Sequence, residues 1–318
     1  MEKVSFVIPC YRSELTLEGV VREIREKMEE LKDRYTYDVF LVNDCSPDGT
    51  EDVIRKLCEE DARIRGISLA RNFGQHSALM AGLRYSDGDI VVCLDDDGQT
   101  PANQVDRLLN ALGRDTDVVY AHYSHKQHSH FRNFGSRVND YMIRVMLGKP
   151  KELAVSSYFA AKRFVVNDLI RYENSYPYVI GLVLRSTKHI ANVEVDHRER
   201  EVGHSGYTLG KLLNLWFNGF TAFSVKPLRI ATGIGILATI CSFIYGIYIV
   251  IRRLLNPAVV QGYAAQMTAT IFFGGLILMM LGLIGEYVGR IYITLNNAPQ
   301  YVIRESWNLP ETSDKKAD

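Results

Sequence analysis

The chain has 318 residues and balances 37 basic against 37 acidic side chains, so its charge gives no reason to expect nucleic acid or any strongly charged polymer as a partner. Its length allows roughly two domains' worth of structure. The five cysteines (Cys10, Cys45, Cys58, Cys93, Cys241) are scattered, odd in number and without C-x-x-C spacing, which speaks against a disulfide framework or zinc site and fits a reducing compartment.

In chain order, "KVSFVIP" reads as a first strand rather than a signal peptide, since its apolar run is short and contains Pro9. "LTLEGVVREIREKMEELKDRY" has helical periodicity, and "YDVFLVND" is a second strand, so a right-handed βαβ crossover and a parallel sheet are expected. "IRGISLA", "GDIVVCLD" and "TDVVYAH" supply further strands, with helices over "HSALMAGLRYS" and "ANQVDRLLNALG". In such α/β sheets the ligand lies beyond the carboxyl ends of the strands. Asp44, Arg71 with Asn72, Asp95 to Gln99, and His122 all fall at predicted strand ends, so one cleft is expected to collect them.

This soluble α/β part is expected over 1–206. Over 207–228, Leu209, Leu212, Leu213, Trp216, Phe220 and Phe223 recur at helical spacing, which suits an amphipathic helix lying on a membrane and ended by Pro227. Ile230 to Ile251 carries no charge and would span a bilayer core of ~30 Å as a helix. Met267 to Ile284 is also uncharged and lengthens past Glu286, so a hairpin over 229–293 is expected, with spans at about 230–251 and 267–290. Neither stretch has the polar face of a core helix. Residues 294–318 read as a polar tail. Two spans put both chain ends on one side, and Lys211, Lys226, Arg229, Arg290 and Arg304 there outnumber Arg252 and Arg253 in the loop, which places the soluble part in the cytoplasm.

The run "IVVCLDDDGQTP" sets three like charges side by side. In an extended segment Asp95, Asp97 and Gln99 share one side while Asp96 points away. Two carboxylates and an amide oxygen with open positions suit Mg²⁺ or Mn²⁺ bound together with substrate phosphates. The bland alternative, a helix cap, needs only one oxygen, which Thr100 before Pro101 supplies.

"FVIPCYRSELTL", "LVNDCSPDGT", "RNFGQHSALMAGL" and "DDDGQTP", in this order, resemble the nucleotide-sugar half of glycosyltransferase family 2. With "REREVGHSGYTLGKLLNLWFNGFTAFSVKPLR" and the hairpin, the chain resembles the polyprenyl-phosphate glycosyltransferases, relatives of dolichyl-phosphate mannose synthase and bactoprenol glucosyltransferase, from Lys3 to about Tyr292. The resemblance implies a GT-A type, Rossmann-like, mostly parallel sheet, an inner or plasma membrane location and a homo-oligomer, a tetramer in relatives. It implies a donor pocket of Pro9, Tyr11, Glu14, Asp44, Ser46, Arg71, Gln75, Asp95 and Asp96, with the metal on Asp97 and Gln99 and assisted by Asp95. Arg132 with Ser136, and Arg200 with Ser205 and Tyr207, match the family's acceptor-phosphate motifs, and His122 stands where relatives often have arginine.

One motif departs. Relatives carry Asp-Phe-Arg where this chain has Ser157, Tyr158 and Phe159, so the usual candidate base is missing; Gln75 likewise replaces a common lysine. A phosphate monoester nucleophile, with a second pKa near ~6, is already anionic at neutral pH, so activity is still expected, with Asp97, Ser157 and Tyr158 facing the reacting groups. The implied reaction is an inverting transfer of a sugar from a nucleotide sugar, UDP-linked in many bacterial relatives, to undecaprenyl phosphate for cell-envelope glycans. Two alternatives differ in class. A processive polysaccharide synthase would carry a Q-x-x-R-W segment, which neither Trp216 nor Trp307 supplies, and a non-catalytic membrane scaffold would have no use for Asp95, Asp97 and Gln99.

Overall fold

The computed structural model describes residues 1–123, 144, 149–196, 226–255, 262–296 and 298–309. They divide into two units, Met1–Thr208 with Asn297–Asp318, and Leu209–Asn296. Residues 207–225 of the interfacial helix expected at 207–228 lie outside the described residues, and its last three positions, from Lys226, open the long helix that follows instead.

The first unit begins with β1 (Glu2–Cys10), α1 (Leu17–Glu30), β2 (Tyr35–Asn43), α2 (Thr50–Glu60), β3 (Ile64–Leu69), α3 (Gln75–Tyr85) and β4 (Ile90–Cys93). β1 and β2 are buried along nearly their whole length, as strands covered on both faces must be, which explains their unbroken apolar runs. α1 buries the stripe Leu17, Val20, Val21, Ile24 and Met28, with Glu18 in its first turn and Lys27 in its last, each matching the sign of the helix dipole there. α2 was not foreseen; Ile54, Leu57 and Cys58 are its buried face.

A short 3₁₀ turn (Ala102–Gln104) then leads to α4 (Val105–Ala111), β5 (Val118–Tyr123), β6 (Phe159–Lys162), α5 (Arg163–Leu169), α6 (Val179–Ser186) and β7 (Ile190–Val195). The sheet runs β7-β5-β6-β4-β1-β2-β3-β8, where β8 (Ile303–Trp307) comes from the segment expected to be a polar tail. β1, β2, β3 and β4 are mutually parallel, while β6 is antiparallel to both β4 and β5, and β8 is antiparallel to β3.

Two consequences locate the site. β1 sits between β2 and β4, so the crossover through α1 goes one way and the return to β4 goes the other, and a crevice opens at their carboxyl ends. Because β6 runs against β4, the residues just before β6 arrive at that same edge.

In the second unit α7 (Lys226–Leu255) and α8 (Tyr263–Leu295) are longer than expected. Pro227 sits in the first turn of α7, where a missing N–H breaks no helical bond. The most apolar windows, Ala231–Tyr248 and Phe272–Gly289, are each 18 residues long, and among the described residues neither is buried against protein as a soluble core helix would be.

α3 lies tight on the sheet because Gly82 has no side chain: a Cβ there would collide with Val7 and come 3.1 Å from Val42. Gly82→Ala is expected to destabilise the first unit by about 1–3 kcal/mol, measured as a lower denaturation midpoint in detergent.

Candidate active site

The carboxyl ends of β1, β2, β3 and β4 feed four loops, and hydrogen bonds stitch each to its neighbour. After β1, Arg12 adopts a left-handed conformation (φ 60°) that turns the chain back across the sheet edge. Its N–H donates to Ser46 Oγ at 2.7 Å, and the Ser13 N–H donates to Thr50 Oγ1 at 2.9 Å. After β2, Cys45 is also left-handed (φ 52°), and the Gly49 N–H at the start of α2 donates to the Glu14 carboxylate at 3.1 Å. Glu14 thus caps a helix that sequence reading had not identified.

Asp44 is buried and accepts from the Phe73 and Gly74 N–H groups at 2.7 and 2.8 Å, closing the β3–α3 loop onto β2. Each oxygen keeps a second lone pair for a ligand donor. Gly74, at φ 90°, makes a turn that a side chain would strain, and α3 starts at the next residue. Arg71 is exposed, its guanidinium 4.6 Å from the Phe73 ring centre.

The acidic run lies between β4 and the 3₁₀ turn. It is not extended: β4 ends at Cys93, Gly98 is left-handed (φ 72°), and the Gln99 N–H donates back to Asp97 Oδ1 at 3.1 Å. A turn, rather than strand alternation, therefore sets the directions of the three carboxylates. Asp96 faces the β1–α1 loop, where it accepts from the Tyr11 N–H at 3.0 Å and from the Ser13 hydroxyl. The Thr16 hydroxyl donates to the Asp96 carbonyl at 2.6 Å.

Asp95 faces the other way. It accepts from the Gln75 amide at 2.8 Å and from the Ser157 hydroxyl, so α3 and the segment before β6 hold its two oxygens with neutral donors. Burial pushes the Asp95 carboxyl up to about 6; the Ser157 hydroxyl opposes this, the charges of Asp97 and Asp96 add to it, and the Gln75 amide opposes it. Burial also raises Asp96, against the donors Ser13 and Tyr11.

Of the residues expected at the site, Tyr11, Glu14, Ser46, Gln75, Asp95, Asp96, Asp97, Gln99 and Ser157 border this crevice, and Pro9 is buried in β1 opposite Val42. His122 is exposed on β5, in register with Glu194. Arg132, Ser136, Arg200, Ser205 and Tyr207 lie outside the described residues.

Tyr158 requires correction. It is fully buried in the core cluster and its hydroxyl donates to the Pro101 carbonyl at 3.3 Å, so it does not face a sugar or phosphate. Neighbours along an extended chain point to opposite sides, and with Ser157 on Asp95, Tyr158 turns inward.

Two contributors were missed. Ser13 is recognisable only from its partner Asp96. Tyr123, one residue beyond His122, is pushed up to about 12 by burial, opposed by a hydrogen bond with Thr100 and reinforced by the charges of Asp95 and Asp97. Its place at the end of β5 was the available signal.

Among the described residues no three His, Cys, Asp or Glu side chains are grouped to hold a metal. The donor chemistry nonetheless fits a hard divalent cation: carboxylates that repel one another, one of them raised to about 6, beside an amide, with remaining positions for water or phosphate oxygens.

A mostly parallel α/β sheet with an acidic turn at its switch point is a fold of the GT-A type. Residues 5–170 match the model described as glycosyl transferase family 2, and residues 226–291 match the GtrB C-terminal hairpin. The chain belongs to glycosyl transferase family 2 and is a glycosyltransferase. It is 32% identical to the bactoprenol glucosyl transferase of Shigella phage SfII, over 96% of this chain and 98% of that one. It is 31% identical to the undecaprenyl-phosphate 4-deoxy-4-formamido-L-arabinose transferase of Proteus mirabilis (strain HI4320), over 96% and 94% respectively. A solved structure of glucosyl-3-phosphoglycerate synthase from Mycobacterium tuberculosis, in complex with Mn²⁺, UDP and phosphoglyceric acid, shares the fold with a TM-score of 0.50 at 21% identity, over 66% of this chain and 73% of that one.

Two measurements check the site. Tyr158→Phe should lower stability by about 1 kcal/mol and leave sugar transfer unchanged. Asp95→Asn should raise stability by about 1–2 kcal/mol at pH 8 in EDTA while losing activity. Because the folded carboxyl sits at about 6 against an ordinary 3.8, the native state holds the extra proton between these values. Wild-type stability therefore falls relative to the variant as pH rises through that window, and the variant's advantage is absent below about pH 4.

Proposed function

We propose that the protein transfers a sugar from a nucleotide diphosphate sugar, UDP-linked, to a polyprenyl phosphate at the membrane surface. The observation that carries this reading is the acidic turn Asp95–Asp97 at the crevice between the β1 and β4 loops, on a chain whose other unit is an apolar hairpin. The names of the phage and Proteus relatives support the acceptor class.

The nucleoside would lie along the β1, β2 and β3 loops, by Tyr11, Glu14, Asp44 and Arg71. Asp97 and Gln99, with Asp95, would hold Mg²⁺ or Mn²⁺. When bound, the ion supplies positive charge to a diphosphate leaving group. A phosphate oxygen of the lipid forms a bond to the anomeric carbon while the bond from that carbon to the diphosphate oxygen breaks, and the electron pair departs with the diphosphate. Single displacement inverts the centre, so an α-linked donor gives a β-linked lipid phosphate. The nucleophile is an anion at neutral pH, so no side chain needs to remove a proton. Ser157 accordingly has a different task from a base: its hydroxyl holds Asp95. His122, Arg132, Ser136, Arg200, Ser205 and Tyr207 are proposed to grip the acceptor phosphate, a role suited to the arginine fork.

α7 and α8 are proposed to cross the membrane. β8 follows α8 and is hydrogen-bonded to β3, so the chain must return to the side it left, which two crossings accomplish. The excess of flanking Lys and Arg supports a cytoplasmic location for that side.

Purified protein given a mixture of UDP-sugars, undecaprenyl phosphate and Mn²⁺ should yield a lipid-linked sugar phosphate by mass spectrometry. Asp97→Ala should reduce its formation by roughly 100-fold or more, and Arg132→Ala and Arg200→Ala by roughly 10-fold or more, with unfolding midpoints unchanged. No lipid product from any donor would reject the assignment.

A further inference from the structure

The segment after α8 does more than complete the sheet. β8 lies antiparallel on β3 with Gly66 opposite Trp307 at one end and Leu69 opposite Ile303 at the other. Since β3 points its carboxyl end at the crevice, the Ile303 end of β8 is the crevice end. Beyond the ladder the Ala70 N–H donates to the Val302 carbonyl at 2.8 Å, which carries the pairing into the β3–α3 loop.

Side chains follow the same path. Tyr301 and Ile303 join Phe73 in packing on the cluster of Val42, Ile67, Leu69, Ala78 and Ala81. The N–H groups of Phe73 and Gly74 are the donors to Asp44, and the next residue, Gln75, donates to Asp95. The support is itself fixed. Gln300 is buried and its amide donates to the carbonyls of Tyr172 and Asn174 at 3.2 and 3.0 Å, while the Ser175 hydroxyl donates to the Ala298 carbonyl at 2.7 Å. Without β8, β3 would be an open edge and its loop would rest on the sheet from one side only.

We propose that the crevice end of β8 positions the donor side of the active site, with Tyr301 and Ile303 as positioning residues that fix the β3–α3 loop and through it Asp44 and Gln75. The proposal rests on the nucleotide-sugar reading for what the loop holds. The far end of the same strand provides the control: Trp307 packs on Gly66 and Ile54, with Arg55 5.4 Å from its ring centre, away from the loop.

The test uses the full chain in detergent, with UDP and Mn²⁺ as the probe. Tyr301→Ala and Ile303→Ala should weaken UDP binding about 10-fold, and Trp307→Leu by less than about 2-fold, at comparable loss of thermal midpoint. The first two should also speed hydrogen exchange at the Phe73 and Gly74 amides, and Trp307→Leu should not. If the alanine variants do not fold, Tyr301→Leu and Ile303→Val make the same comparison. Equal UDP affinity across all variants, or equal exchange at Phe73 and Gly74, overturns the proposal. If the wild type does not bind UDP, the nucleotide reading fails, and amide exchange alone decides whether β8 orders the loop.

Discussion

The contact on which the site depends is the one Asp96 makes with Ser13 and Tyr11. It crosses the point where the sheet reverses its winding, joining the loop after β1 to the loop after β4. An open crevice between two strand ends has no backbone partners of its own. A half-buried carboxylate that accepts from one N–H and one hydroxyl holds the two rims together, and Thr16 fixes the Asp96 main chain as well. With Asp96 committed to this rim, Asp95 turns to the other one, toward Gln75 and Ser157.

That division places the site in tension. Among the described residues Asp95 is held by neutral donors, beside two like charges, and burial disfavours its ionised form in the folded protein. The sequence resemblance implies a lysine and an aspartate where this chain has Gln75 and Ser157, and both of these serve the same carboxylate. The two departures, unrelated in sequence, meet in space as one neutral clamp.

Much of the sheet from β1 to β4 was legible because buried parallel strands read as unbroken apolar runs, and polar residues mark where each ends. The Asp96–Ser13 bond was not legible, since it depends on β1 and β4 being neighbours, which strand order decides and local pattern does not. Ser157 and Tyr158 show a similar limit: which of two adjacent residues meets the crevice is settled by the register of β6 against β4, and an error of one residue exchanges cleft for core. β8 escaped notice because an edge strand needs only one buried face. In "IRESW" only Ile303 and Trp307 are partly buried, and the charged residues between them resemble a solvated tail.

The late position of β8 also bears on how the molecule is made. The ribosome releases β3 long before β8, and both apolar helices are synthesised in the interval. Until β8 follows them, the nascent catalytic unit carries an unpaired strand edge, with Gly66 lacking the indole that covers it. Closure of the sheet is thus the last event of synthesis for this unit, because the strand that covers β3 lies beyond both apolar helices in the chain.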